Sequence, residues 1–335
     1  MGNSKILLVG ATGAIGSFIT KASARLGHPT FALVRPTTAG PHSSKKELID
    51  SFKASGITIL EGDINDHESL VAALKQVDVV ISTLGTAQLP DQLNLITAIK
   101  EVGHITRFLP SEFGDDPERT VQMKATDVLF VDKIKARNAI RAAGIPYTFV
   151  NSNSFASIFL GSWIFRFESL FSGSWAFSFS RFPEQQELKL PRDKVTILGD
   201  GNAKGVYNCE EDIGTFTIKA VDDPRTLNKQ LLIRPEPNIK SMNEVVQLWE
   251  KKIGHSLDKT YIPESEVLKQ IEDFHCGVCV TTEMPFPNKL FLALSYSLLV
   301  KGDQYFEPGP DDVDASKLYP DVKYTTVDEF FNRYV

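Results

Sequence analysis

The first apolar run of the chain ends in the string Gly10-Ala-Thr-Gly13-Ala-Ile-Gly16, and a helix-like pattern follows at once. Three glycines at G-x-x-G-x-x-G spacing between a strand and a helix leave few structural options. Gly10 permits a tight turn after the strand. Gly13 lets the backbone approach a pyrophosphate, and Gly16 lets the helix pack closely on the sheet. The first N–H groups of the helix and its dipole then face the phosphates. The expectation is a strand–loop–helix unit that binds a dinucleotide.

The rest of the first half supports that unit. Strand-like runs at 5–9, 30–34, 57–60, 78–82, 105–109 and 147–150 alternate with helix-like stretches at 14–26, 45–54, 67–75, 91–102 and 129–143. Such alternation indicates βαβ units with right-handed crossovers and a parallel sheet. After about residue 160 the alternation breaks down. Residues 191–201 read as a loop, a strand and a turn. Segments 212–221, 242–253 and 264–273 read as helices, and within 324–335 the run Thr-Thr-Val-Asp-Glu-Phe-Phe reads as a Thr-capped one. The expected fold is α/β: a Rossmann-like, doubly wound parallel sheet with a smaller C-terminal α/β substrate lobe. The expected division is a nucleotide-binding domain at 1–155 and a substrate-binding lobe at 156–335, with the chain interleaving between them.

Composition narrows the class. Of 335 residues, 36 are Lys or Arg and 42 are Asp or Glu, a net charge of −6. An acidic chain without a long basic run is a poor match for nucleic acid. Three cysteines do not make a disulfide framework across this length, and residues 1–5 run straight into a strand without a secretory pattern. These features point to the cytoplasm. The pair Cys276 and Cys279 reads as free thiols, since one C-x-x-C without a second pair is weak evidence for a metal. Seven Phe and two Trp crowd into 159–182, but Arg166, Glu168 and Arg181 interrupt the stretch, so no membrane span is expected.

The end of the second strand selects the dinucleotide. NAD sites place Asp or Glu there for the ribose 2′-hydroxyl. This chain has Val34-Arg35-Pro36, with Lys45 and Lys46 shortly after. A guanidinium suits a 2′-phosphate and offers a 2′-hydroxyl no acceptor. The expected cofactor is therefore NADPH.

The stretch 129–143 carries the candidate catalytic residue. At helical spacing Leu129, Ala136, Ile140 and Ala143 share a stripe, and Lys133 lies within about 40° of its centre. Lys135 falls on the far side. A lysine on a buried face snorkels to its edge, pairs with a carboxylate, or does acid–base chemistry, because burial lowers its proton affinity. Its companions should come from loops after strands, where ligands of open α/β sheets bind. These are Thr83-Leu-Gly85, Pro110-Ser-Glu-Phe-Gly114 and Asn153-Ser-Phe155. The residues expected to face the dinucleotide are Gly10, Thr12, Gly13, Ala14, Ile15, Gly16, Arg35, Lys45, Thr83, Gly85, Ser111, Phe113, Lys133, Asn153 and Phe155.

The glycine loop, Val34-Arg35-Pro36, Gly62-Asp-Ile-Asn-Asp-His-Glu, Arg107-Phe-Leu-Pro-Ser-Glu-Phe-Gly114, Gly144-Ile-Pro-Tyr-Thr and Pro191-Arg-Asp-Lys-Val-Thr together resemble a known family. It comprises the plant pinoresinol–lariciresinol, isoflavone and phenylcoumaran benzylic ether reductases, atypical short-chain dehydrogenases with an NmrA-like fold. The resemblance covers nearly the whole chain and is closest to the phenylcoumaran benzylic ether and isoflavone reductases. It implies NADPH, with Arg35 and Lys45 at the 2′-phosphate and Lys133 as the catalytic lysine. It also implies a small phenylpropanoid, lignan or isoflavonoid substrate. Lys133 would deprotonate a phenol, the benzylic ether would open to a quinone methide, and hydride would add at the benzylic carbon. The alternatives are an isoflavone reductase acting on a conjugated enone and a non-catalytic NADP(H) sensor of the NmrA type. A homodimer is left open.

Some positions depart from the family. Ser154 stands where the family has Cys, and Ile158 where it has Tyr. The usual Tyr-x-x-x-Lys pair is absent from its expected region, and Tyr319–Lys323 has the spacing only by coincidence. Residues 161–190 are longer and more aromatic than in the family, either a hydrophobic lid or an aberrant segment.

Overall fold

The computed structural model describes residues 3–39, 45–121, 123–160, 190–272 and 286–335. Most of the aromatic stretch and the Cys276/Cys279 pair lie outside the described residues.

The strand β1 (Ile6–Val9) is apolar at every position and buried on both faces, as the interior of a parallel sheet requires. It lies between β2 (Thr30–Val34) and β4 (Val79–Ser82), with β3 (Thr58–Glu61) and β5 (Arg107–Leu109) outside them. The order β3-β2-β1-β4-β5 is parallel throughout. The chain therefore reverses its winding between β1 and β4, and a crevice opens there at the carboxyl ends of the strands. A parallel bridge from Phe108 to Tyr147 carries the sheet on to β6 (Thr148–Asn151). Beside β6 run β10 (Lys229–Leu232) and β13 (Asp312–Asp314), also parallel. Segments from late in the sequence thus complete a sheet begun by the first.

Two layers cover this sheet, and the side-chain alternation of β1 assigns them. Ile6 and Leu8 pack with Ile15 and Ile19 of α1 (Ala14–Arg25), and with Ile213 and Phe216 of a helix at Glu210–Ala220. Leu7 and Val9 face the other way, toward α2 (His67–Leu74), α3 (Gln92–Val102) and α4 (Asp127–Ala143), where Leu70, Leu95, Ile99 and Ile140 lie. A separate core holds Trp249 of α5 (Met242–Ile253), Phe291 of α6 (Phe286–Tyr296) and Phe330 and Phe331 of α7 (Val327–Phe331). Short sheets edge that unit: antiparallel β9 (Lys204–Asn208) and β11 (Ile239–Ser241), and parallel β8 (Lys194–Leu198) and β12 (Asp258–Ile262).

Boundaries follow local chemistry. The expected strand at 105–109 shortens to Arg107–Leu109, and just before it the Thr106 N–H and hydroxyl both donate to the Asp78 carbonyl, at 2.8 and 3.0 Å. The stretch expected at 212–221 starts earlier, at Glu210. The expected threonine cap of α7 is made by Thr326, in a reciprocal capping box with Glu329.

Candidate active site

The strand ends and the first turn of α1 enclose a cleft of about 670 Å³. The glycine loop forms its floor. Gly10 turns the chain at φ +85°, a conformation that side chains disfavour, and its carbonyl accepts from Gly13 N–H at 2.8 Å. Gly13 is the N-cap of α1 and contributes no side-chain cap. Thr12, Gly13, Ala14 and Ile15 therefore present the helix start to the cleft. Gly16 is the one expected residue that does not line it. It sits behind the wall, against Gly10 and Thr83, where its role is close packing.

Arg35 and Lys45 stand exposed at the cleft rim beyond β2. The Arg35 side chain has no carboxylate partner among the described residues. Gly62, Asp63, Ile64 and Asn65 follow β3 on the same side. This end fits an NADP(H) adenosine: a helix start without a capping side chain for pyrophosphate, and a cation in place of an acid for the 2′-phosphate.

The other end gathers the remaining candidates. Thr83 is anchored to Val9, its N–H and hydroxyl donating to that carbonyl at 2.8 and 3.0 Å. Gly85 lies beside it in the lining. The Ser111 hydroxyl donates to the Leu84 carbonyl at 2.8 Å. Asn153 adopts φ +55° and donates from its backbone to the Gly114 carbonyl at 3.0 Å, which ties two strand-end loops together. Its amide donates to the Ile233 carbonyl at 3.0 Å. Phe113 and Phe155 line the same region.

Lys133 projects from α4 into this end and is 8% exposed. Its ammonium donates to the Glu112 carbonyl at 2.5 Å. Burial pushes its proton affinity down. The Glu112, Asp115 and Asp116 carboxylates oppose that shift, and the Arg137 guanidinium adds to it. Lys135, as expected, is out in solvent, paired with Asp132. Tyr319 is not among the residues lining the cleft, and its hydroxyl donates to Asp223 at 3.0 Å.

The sequence reading missed several lining residues. Glu112 belongs to the loop it had singled out and Asp115 directly follows that loop, but nothing marked their side chains. Desolvation holds the Asp115 carboxyl above its usual range, against a hydrogen bond from Gln304. The apolar side chains of Leu129, Phe130, Ile158, Phe159 and Leu294 also line the cleft. Leu294 comes from far along the chain, with no local signal. Among the described residues, no group of His, Cys, Asp and Glu is arranged to hold a metal ion. No helix among them is long and apolar enough to cross a membrane.

The model of the NmrA-like family matches residues 2–331. The chain belongs to that family. Phenylcoumaran benzylic ether reductase of Ginkgo biloba is 53% identical over 336 residues, covering 100% of both chains. The crystal structure of an isoflavone reductase matches with a TM-score of 0.85 at 44% identity, over 99% of this chain and 100% of that one. A leucoanthocyanidin reductase of Vitis vinifera, solved with NADPH, matches with a TM-score of 0.81 at 34% identity, over 98% and 99%. The Rossmann-like family fold expected from the sequence is thereby established, and with it the resemblance that the motifs carried.

Proposed function

We propose that this protein is an NADPH-dependent reductase of phenylpropanoid-derived aromatic ethers, acting as a phenylcoumaran benzylic ether reductase does. The observation that carries this reading is the buried Lys133 amine, which lines one cleft with the strand-end loops and the apolar residues. A dinucleotide sensor has no use for an amine there. Full-length similarity to the Ginkgo biloba reductase supports the same class.

Bound NADPH would supply hydride from its nicotinamide. The protein's own residues do the rest. The first turn of α1 and Arg35 hold the phosphates. Thr83, Ser111, Phe113, Asn153 and Phe155 shape the nicotinamide end. Leu129, Phe130, Ile158, Phe159 and Leu294 exclude water and stack against aromatic rings. Lys133 Nζ accepts the proton of the substrate phenol. The resulting phenolate expels the benzylic ether oxygen, giving a quinone methide and an aryloxide. The hydride that the bound cofactor would supply would form the new benzylic C–H bond and restore the aromatic ring. The proton held on Lys133 and one from solvent neutralise the two oxygens. The balance is one hydride and one proton per ether opened.

We also place the protein in the cytoplasm, which suits the buried free thiol of Cys209. A homodimer is the assembly to test by light scattering. The function test is NADPH oxidation with a phenylcoumaran, a furofuran lignan and an isoflavone. Ring-opened product from the phenylcoumaran is expected. Reduction of the isoflavone alone would replace the ether reading with enone reduction. Nucleotide binding without turnover of any of the three would favour the sensor.

A further inference from the structure

One helix grips Glu112 at both ends. Lys133 and Arg137 are one turn apart on α4, so their side chains share a face. Lys133 Nζ holds the Glu112 carbonyl at 2.5 Å. Arg137 holds the Glu112 carboxylate as a fork, from Nε at 3.1 Å and from Nη2 at 2.7 Å. Arg137 is 0% exposed and lies over the Phe149 ring at 4.7 Å. Its remaining nitrogen bonds Asp116 at 2.9 Å and Glu118 at 2.8 Å. Asp116 is held in turn by the Gln230 amide at 3.0 Å and by Arg119 at 3.3 Å. The loop that carries Ser111 and Phe113 is thus bolted to the helix that carries the amine.

Surface pairs do not need such a site. A buried guanidinium with three carboxylates is expensive to assemble, and a plain hydrocarbon contact would join the loop to α4 more simply. What it supplies here is a fixed carbonyl and two fixed charges beside Lys133. We propose that Glu112 and Arg137 are a positioning pair that sets both the placement and the proton affinity of Lys133. Glu112 fixes the acceptor for the ammonium and favours the charged form. Arg137 fixes Glu112 and favours the neutral, proton-accepting form. Neither need touch the substrate.

The charged groups acting on Lys133 are Glu112, Asp115 and Asp116, which favour its ammonium, and Arg137, which opposes it. Asp115 is faced in addition by Gln304, whose amide donates to it, and by Asp303. These last are common to all the variants below.

This inference rests on the proposed role of Lys133, so its test reads the lysine directly. The full chain is labelled with 13Cε-lysine, and the Lys133 resonance is assigned by its loss in Lys133→Ala. Its titration midpoint is then followed by NMR without added nucleotide. Glu112→Gln should move the midpoint down by about one unit, and Arg137→Gln should move it up by a similar amount. Arg137→Lys keeps the charge and should leave the midpoint near that of the wild type. It loses the planar fork, so kcat should fall about tenfold while KM for NADPH holds. If Arg137→Gln does not fold, Glu112→Gln/Arg137→Gln replaces it, and its midpoint should lie above that of Glu112→Gln alone. Opposite shifts support the pair, because general loosening would move both midpoints the same way. Unchanged midpoints, or shifts of one sign, overturn it. Should no phenylpropanoid be reduced while the midpoints move as stated, the proposed function fails and the pair stands.

Discussion

Gly16 and Thr83 leave no room between them: a β-carbon on Gly16 would lie 2.6 Å from the Thr83 hydroxyl and 2.2 Å from the Gly10 carbonyl. Both neighbours are fixed. Thr83 is hydrogen-bonded to Val9 at the end of β1, and Gly10 is the turn itself. Gly16→Ala should therefore push α1 away from the sheet. The expected cost is about 1–3 kcal/mol, read as a lower urea midpoint, with weaker NADPH binding because the helix start moves with it. Wild-type stability in this variant would mean that the loop is slack.

The next prediction concerns cofactor choice. Arg35 sits at the cleft rim without a carboxylate partner among the described residues, where an NAD site would carry an acid. A charge-assisted pair with a 2′-phosphate contributes about 1.5–3 kcal/mol. Arg35→Asp should then weaken NADPH binding roughly 10- to 100-fold and leave NADH binding little changed or improved. Calorimetric titration of both nucleotides decides it. Equal loss of both would make Arg35 a general phosphate contact.

Lys133 gives the third. Removing a general base lowers turnover about 10²- to 10⁴-fold. Lys133→Ala should lose that much in kcat while its NADPH dissociation constant stays within about threefold. In the wild type only the neutral amine accepts the phenolic proton, so kcat should rise with pH through the Lys133 midpoint. Burial lowers that midpoint, so the limb should lie below the range of an ordinary lysine. A limb at the ordinary lysine position, or a fully active Lys133→Ala, would remove the amine from the chemistry.

The same residues show what a sequence discloses. The glycine loop, the strand–helix alternation and the stripe that places Lys133 inward are local patterns, each decided within one turn or one element. They were legible. The forked grip on Glu112 was not, because it spans 25 residues and depends on how a loop folds back over α4. Gln304, whose amide reaches Asp115 across 189 residues, left no local trace either. Nor did the entry of β10 and β13 into the parallel sheet, since periodicity reports that a strand is buried and not which neighbour buries it. The Cys-x-x-C pair and most of the aromatic stretch remain where the sequence left them.

Glu210 supplies the last prediction, on stability. It opens the helix Glu210–Ala220, where the dipole favours an anion, yet it is 2% exposed. Burial prevails and pushes its carboxyl up from 4.5 to about 7, against a hydrogen bond from the Ser157 hydroxyl. The folded value is raised above the unfolded one, so the folded state holds the proton more tightly. The stability this contributes is fully present below about 4.5 and is lost as pH rises through about 7. The size is on the order of 3 kcal/mol. Asp212, pushed up to about 6 mainly by burial, slopes the same way. Glu210→Gln keeps the shape and an acceptor for Ser157 but does not ionise. Urea unfolding should therefore find it close to the wild type at pH 5 and more stable by about 2 kcal/mol at pH 8. The same difference at both pH values would show that Glu210 is ionised throughout and that the helix dipole outweighs burial.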